Sequence, residues 1–135
     1  MEKLVWDESY SVGVKVLDRQ HRIVFDMIND LVEREDLTVR SERLTAALME
    51  LTSYALKHFR TEEQYMKEYE YPEIAEHVET HMYFRMKIIE LSNETLYHKE
   101  SVPVELFDFL LEWWSNHILK EDMKYRAFFK DKGLE

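Results

Sequence analysis

The stretch that decides the fold runs from residue 58 to residue 81 and reads HFRTEEQYMKEYEYPEIAEHVETH. It contains the pairs His58–Glu62 and His77–His81, each four residues apart, on either side of Pro72. Residues four apart lie on the same face of a helix, and a proline ends one helix or opens the next. The stretch therefore predicts two antiparallel helices whose adjoining ends carry two polar side chains each.

Four long helices joined by short turns are predicted outward from this stretch. Only 2 Gly and 2 Pro occur in 135 residues, which favours long helices. The first predicted helix runs from Asp18, a residue type common at N-caps, to about Glu35, and the second runs from Thr38 or Ser41 to about Tyr69. The third runs from Pro72 to about His98, and the fourth from Ser101 or Pro103 to about Lys120. A short fifth segment is predicted from Asp122 to Lys130. Residues 1–17 are expected to form a non-helical arm. The expected fold is all-α, an up-down-up-down four-helix bundle in which residues 1–135 form one domain.

Composition and charge exclude several classes of function. The chain has no cysteine, which excludes disulfide scaffolds, thiolate zinc sites and cysteine-held iron–sulfur clusters. Its net charge of −10 repels phosphate backbones, so we expect no nucleic-acid partner. No stretch approaches the roughly 20 apolar residues of a membrane span, and the first residues lack the apolar core of a signal peptide. We therefore expect a cytoplasmic protein without membrane insertion.

Histidine replaces apolar residues on the inward seams of all four helices. A bundle seam is spaced alternately three and four residues apart. The predicted seams are His21, Phe25, Ile28 and Val32; Leu44, Leu48, Leu51, Ala55, His58, Glu62 and Tyr65; Ile74, His77, His81, Phe84, Ile88 and Leu91; and Leu106, Leu110, Trp113 and His117. Because successive helices run in opposite directions, the five seam histidines and Glu62 are expected to meet at one end of the bundle.

A metal site explains this polar layer better than a set of structural histidines. One histidine on an apolar face usually bonds to backbone, but each unpaired buried polar group in such a layer would cost about 2–7 kcal/mol. Neutral imidazole and carboxylate are metal ligands, so a metal would satisfy the whole set. Asp122 follows His117 by five residues, or about 500° of α-helix. It reaches the layer only if the helix bulges or ends between them.

The four polar motifs resemble those of the hemerythrin family, in the form found as single-domain bacterial hemerythrins. The motifs are Asp18-Arg19-Gln20-His21, His58-Phe59-Arg60-Thr61-Glu62, His77-Val78-Glu79-Thr80-His81 and His117-Ile118-Leu119-Lys120-Glu121-Asp122. Their order and spacing match across the whole chain, and the opening Trp6 with Tyr10-Ser11-Val12-Gly13 is also similar.

The resemblance implies a non-heme di-iron centre that binds O₂ reversibly. By resemblance, one iron is held by His77, His81 and His117, the other by His21 and His58, and both are bridged by Glu62, Asp122 and an oxo or hydroxo oxygen from solvent. One position then stays open, on the iron with two imidazoles, and O₂ binds there in the family. Asp122 is assigned as a ligand on this resemblance.

Residues around the open position are also assigned by resemblance. The implied O₂ pocket consists of Val24, Phe59, Trp113, Trp114 and Ile118, although each could equally be ordinary core packing. Tyr125 matches a family tyrosine that supports a ligand. The chain lacks the Glu-x-x-His pairs of ferritin-like di-iron oxidases, and its imidazole-rich ligand set favours reversible binding over deeper oxidation.

Three functions remain open at this point. The first is a non-enzymatic O₂ binder for carriage, storage, delivery to an oxidase or sensing, in which an oxidase or a sensor protein would be a separate partner. The second is a di-iron enzyme that reduces peroxide or nitric oxide, or oxidises ferrous iron. The third is an interaction bundle with structural histidines. Zinc or manganese in place of iron is a lesser alternative, since imidazole also suits zinc.

Overall fold

The structure, a computed structural model, describes residues 3–33, 42–96 and 102–135. Its helices are α1 (Lys15–Glu33), α2 (Glu42–Glu68), α3 (Ile74–Leu96), α4 (Val102–Asn116) and α5 (Met123–Asp131), with a π segment (His117–Asp122) between the last two and one 3₁₀ turn at Glu8–Tyr10. Each long helix packs against the next, and α4 closes the ring against α1. The predicted up-down-up-down four-helix bundle is confirmed. Within the described ranges, no helix is both long and apolar enough to cross a membrane.

Asp18 hydrogen-bonds the N-terminal arm to α1 and is not the N-cap of that helix. The first helix begins at Lys15, three residues before the predicted N-cap. The Asp18 carboxylate instead accepts hydrogen bonds from the Ser11 hydroxyl at 2.7 Å and the Val12 N–H at 2.8 Å. Gly13, between them and the helix, has φ +78°, a conformation that favours glycine. The arm also contains a 3₁₀ turn, so it is not wholly non-helical as predicted.

The connection between α2 and α3 ends the long second helix sharply. Glu70 adopts φ 56°, in the left-handed region, and the Tyr71 N–H donates to the Met66 carbonyl at 2.8 Å, as at many helix C-termini. The third helix begins at Ile74, two residues after the predicted start at Pro72. The predicted boundaries near Glu35, Thr38, Ser41, His98 and Ser101 lie outside the described residues.

Two apolar clusters fill the bundle, with a polar layer between them. The larger cluster includes Val24, Phe59 and Ile118. The smaller one, beneath the arm, includes Leu17, Met66 and Tyr125. Along the chain, His21 lies between Leu17 and Val24, Glu62 lies between Phe59 and Met66, and Asp122 lies between Ile118 and Tyr125. Apolar packing therefore encloses this layer on both sides, and its side chains are almost completely buried.

Candidate metal centre

Seven buried side chains meet in the polar layer as two overlapping groups. One group is Glu62, His77, His81, His117 and Asp122, and the other is His21, His58, Glu62 and Asp122. Within each group the ligand atoms lie within 4.8 Å of one another. None of the seven side chains is more than 4% exposed. The structure thus brings together all seven residues that the sequence predicts, and both groups share the same two carboxylates.

The π segment carries Asp122 into the layer. On a regular α-helix, Asp122 would be rotated about 140° away from the face of His117. In a π-helix the hydrogen bonds join residues five apart, so residues with this spacing come nearly one above the other. Helix α4 passes without a break into the π segment and α5, and the predicted end near Lys120 is replaced by this bulge. Of the two alternatives that the sequence left open, the helix bulges between His117 and Asp122 and does not end there.

Each carboxylate directs one oxygen to each group. Oε2 of Glu62 lies 3.3 Å from Nε2 of His21 and 3.1 Å from Nε2 of His58. Its other oxygen, Oε1, lies 3.2 Å from Nε2 of His77 and 3.1 Å from Nε2 of His81.

Asp122 repeats this division. Its Oδ2 lies 3.0 Å from Nε2 of His21, whereas Oδ1 lies 3.1 Å from Nε2 of His77 and 3.0 Å from Nε2 of His117. A carboxylate with one oxygen toward each of two donor groups has the arrangement needed to bridge two cations.

The polar atoms of the layer fit a pair of metal ions. Within the described residues, the Nε2 atoms of His21, His58, His81 and His117 and both carboxylate oxygens of Asp122 are buried without a hydrogen-bond partner. Such atoms are rare in folded proteins unless a water molecule or an ion satisfies them. Metal–ligand bonds of about 2.1 Å would place neighbouring ligand atoms about 3.0 Å apart at octahedral angles and about 3.4 Å apart at tetrahedral angles. The nitrogen–oxygen distances above lie within this range.

The pKa values of the histidines and carboxylates in the layer reflect burial and the charges of their neighbours. Burial lowers the pKa of His21, but the carboxylates of Asp122 and Glu62, 3.0 and 3.3 Å from its Nε2, outweigh it and raise the pKa to about 9. The same balance raises the pKa of His77 to about 10. At His58 burial prevails and lowers the pKa. Burial opposes ionisation of Glu62, yet the surrounding imidazoles hold its pKa well below its usual range. The carboxylates therefore stay ionised, as metal ligands must be.

Three side chains that are not candidate ligands lie within hydrogen-bond distance of the ligands. The Tyr125 hydroxyl, assigned by resemblance to this role, donates to Oε2 of Glu62 at 2.7 Å. Burial raises the pKa of Tyr125 well above its usual value, and the nearby carboxylates raise it further, so the hydroxyl keeps its proton. The sequence did not identify the other two. Gln20 Oε1 lies 2.7 Å from Nδ1 of His58, and Glu63 Oε2 lies 3.0 Å from Nδ1 of His81.

Three of the five residues assigned to an O₂ pocket lie against imidazoles of the two groups, and the other two lie in the larger apolar cluster. Trp114 is fully buried, with its ring 6.0 Å from that of His58. Phe59 stacks on His81 at 3.9 Å, and Trp113 stacks on His117 at 4.3 Å. Both of these imidazoles belong to the three-histidine group. The remaining two, Val24 and Ile118, are buried in the larger apolar cluster.

Four predicted seam positions are only partly buried, namely Val32, Tyr65, Ile74 and Trp113. On α4, Trp114 is fully buried and Trp113 is only partly buried. Trp113, with His117, lines a surface cavity of about 370 Å³ between α3 and α4. The predicted seam through Trp113 was therefore displaced by one residue at this level.

Known proteins similar to this chain in sequence and in structure carry hemerythrin names. A family model described as the hemerythrin HHE cation binding domain matches residues 12–128. A bacteriohemerythrin from Stenotrophomonas maltophilia is 31% identical over 125 residues, which cover 93% of this chain and 80% of that protein. A bacteriohemerythrin from Clostridium acetobutylicum is 28% identical, with 90% of this chain and 97% of that protein covered. A crystal structure of wild-type hemerythrin superposes with a TM-score of 0.82 at 28% identity, over 92% of this chain and 95% of that one.

Proposed function

The chain belongs to the hemerythrin family, and from this membership we propose that it binds O₂ reversibly at a non-heme di-iron centre and is not an enzyme. One iron is assigned to the group of three imidazoles and the other to His21 and His58. Glu62 and Asp122, which each direct one oxygen to each group, would be ligands shared by the two irons. Two bridged irons would supply the two electrons that reversible O₂ binding requires.

The unequal division of imidazoles is the observation that carries this proposal. Three imidazoles belong to one group and two to the other, while both carboxylates are shared. The group with fewer protein ligands, which contains His21 and His58, is where O₂ would bind. Imidazole ligands suit iron, and sites of histidine and carboxylate ligands with an open position are typical of non-heme Fe(II).

The chain's own residues fix the bridge and keep the site dry. The Tyr125 hydroxyl donates to Glu62 and so holds the direction of that carboxylate. The buried rings of Phe59 and Trp114 stack at 5.6 Å and cover the layer on the side of the larger apolar cluster. A dry site would limit proton transfer into the centre and the side reactions that follow from it.

Iron analysis followed by an O₂ titration tests the proposal. Purified protein is reconstituted anaerobically with Fe(II), its iron is counted, and its visible spectrum is followed as O₂ is added and removed. We expect about two irons per chain and an absorption band that appears with O₂ and disappears on its removal. Fewer than about two irons, or a band that forms irreversibly, would refute the proposal.

A turnover assay separates O₂ binding from the enzymatic alternative. The di-iron protein is supplied with a reductant and either peroxide or nitric oxide, or with excess ferrous iron and O₂. We expect no sustained consumption beyond the two electrons that the centre holds. Multiple turnovers would identify an enzyme instead.

A further inference from the structure

The two halves of the centre differ in what supports their imidazoles. On the three-histidine side, Nδ1 of His81 lies 3.0 Å from the carboxylate oxygen Oε2 of Glu63. On the two-histidine side, Nδ1 of His58 lies 2.7 Å from the amide oxygen of Gln20. Nδ1 of His21 is buried and has no partner within the described part of the chain. A charged acceptor thus supports one half, and a neutral acceptor supports the other.

Both contacts cross from one helix to the next. Gln20 precedes His21 on α1 and reaches His58 on α2, whereas Glu63 follows Glu62 on α2 and reaches His81 on α3. The Glu62 side chain is fully buried, but Glu63 keeps 31% of its side chain exposed. Successive residues on a helix point about 100° apart, so Glu63 lies at the α2–α3 boundary, beside the layer and outside it.

The charge of the acceptor changes the donor strength of the imidazole. A hydrogen bond from Nδ1–H to a carboxylate is stronger than one to an amide and makes Nε2 a more basic ligand. A more basic ligand stabilises Fe(III) more than Fe(II), because the ion with the higher charge gains more from it. The amide of Gln20 provides no such preference on its side.

We propose that Glu63 is a positioning residue that makes the three-histidine half of the centre the tighter and more easily oxidised half. The proposal rests on the di-iron function given above. The neutral Gln20 leaves the O₂-binding half with less preference for Fe(III), which favours the return of electrons when O₂ leaves.

The first test substitutes the charge and keeps the shape. Glu63→Gln is compared with wild type and with Glu79→Gln, a matched loss of charge at an exposed residue of α3 between His77 and His81. In anaerobic competition with a chelator, we expect Glu63→Gln to weaken binding of one of the two Fe(II) ions by about 10–100-fold. If Fe(III) binding weakens tenfold more than Fe(II) binding, one midpoint potential rises by about 59 mV. Glu79→Gln should match wild type in both measurements.

A mirror variant tests the other half. Gln20→Glu gives His58 a charged acceptor, and we expect it to lower the second midpoint potential and to speed conversion of the O₂-bound protein to the oxidised form. Potentials that are equal in wild type, Glu63→Gln and Gln20→Glu would overturn the proposal.

The hydrogen bond itself is observable without iron. In Zn(II)-loaded protein, which is diamagnetic, we expect a slowly exchanging Nδ1–H proton of His81 in the ¹H NMR spectrum. This resonance should move upfield in Glu63→Gln and stay in place in Glu79→Gln. An unchanged resonance in Glu63→Gln would overturn the proposal. Fewer than two irons bound by the wild-type protein would refute the di-iron function. An upfield shift in Zn(II)-loaded Glu63→Gln would still establish the hydrogen bond between His81 and Glu63.

Discussion

Tyr125→Phe removes the hydroxyl that donates a hydrogen bond to Glu62 and leaves the packing of the ring intact. The Tyr125 ring is fully buried and packs against Phe129 at 4.9 Å and His77 at 5.6 Å. Phenylalanine keeps these ring contacts. The substitution therefore tests only the 2.7 Å hydrogen bond from the hydroxyl to Oε2 of Glu62.

The expected loss follows from the charge and burial of the acceptor. A hydrogen bond to a charged group contributes about 1.5–3 kcal/mol, and Glu62 is ionised and fully buried. We expect metal-free Tyr125→Phe to lose about that much free energy of unfolding. For a chain of this length, the loss corresponds to a fall of about 5–12 °C in Tm. With its direction less fixed, Glu62 should also bind metal about 10–100-fold more weakly.

Tyr71→Phe is the matched control for this experiment. The Tyr71 hydroxyl donates to the exposed carboxylate of Glu73 at 3.1 Å, and its ring also packs against Phe129. A hydrogen bond to an exposed carboxylate contributes little, so we expect a loss below about 1 kcal/mol. Urea unfolding of both metal-free variants, with chelator competition for Fe(II), measures the difference. Equal stability and equal metal affinity of the two variants would refute the support role of the Tyr125 hydroxyl.

Three further predictions concern the layer and its surroundings. His77→Ala should lose the iron of the three-histidine half and lower Tm, because it removes a ligand and leaves a polar cavity; full iron content by elemental analysis would show that the ligand assignment is wrong. Trp114→Ala should cost about 3–5 kcal/mol in urea unfolding and speed oxidation of the O₂-bound protein, because water gains access beside His58; an oxidation rate equal to wild type would exclude a shielding role. Loading with Fe(II) near pH 7 should release protons and weaken as pH falls, because the pKa values of about 9 at His21 and about 10 at His77 leave both imidazoles protonated without metal. Calorimetry in buffers of different ionisation enthalpy measures this release, and a heat independent of buffer would contradict it.

The bundle and its polar layer were predictable because helical periodicity is local. Pairs four residues apart, such as His58–Glu62 and His77–His81, fix which side chains share a face whatever the tertiary structure. The turn at Tyr71-Pro72 fixes the reversal of direction between α2 and α3. These two facts bring both pairs to one end of the bundle, and the alternation of all four helices brings His21 and His117 to the same end.

Only the tertiary structure decided how the layer is completed. The π segment turns Asp122 toward His117, and spacing alone left open whether the helix bulges or ends there. The supports from Gln20 and Glu63 join side chains on different helices, so no pattern along one helix reveals them. Their contacts depend on the rotation and axial offset between neighbouring helices. Packing of the whole core sets those two quantities, as it does the choice of Trp114 over Trp113 at the buried position.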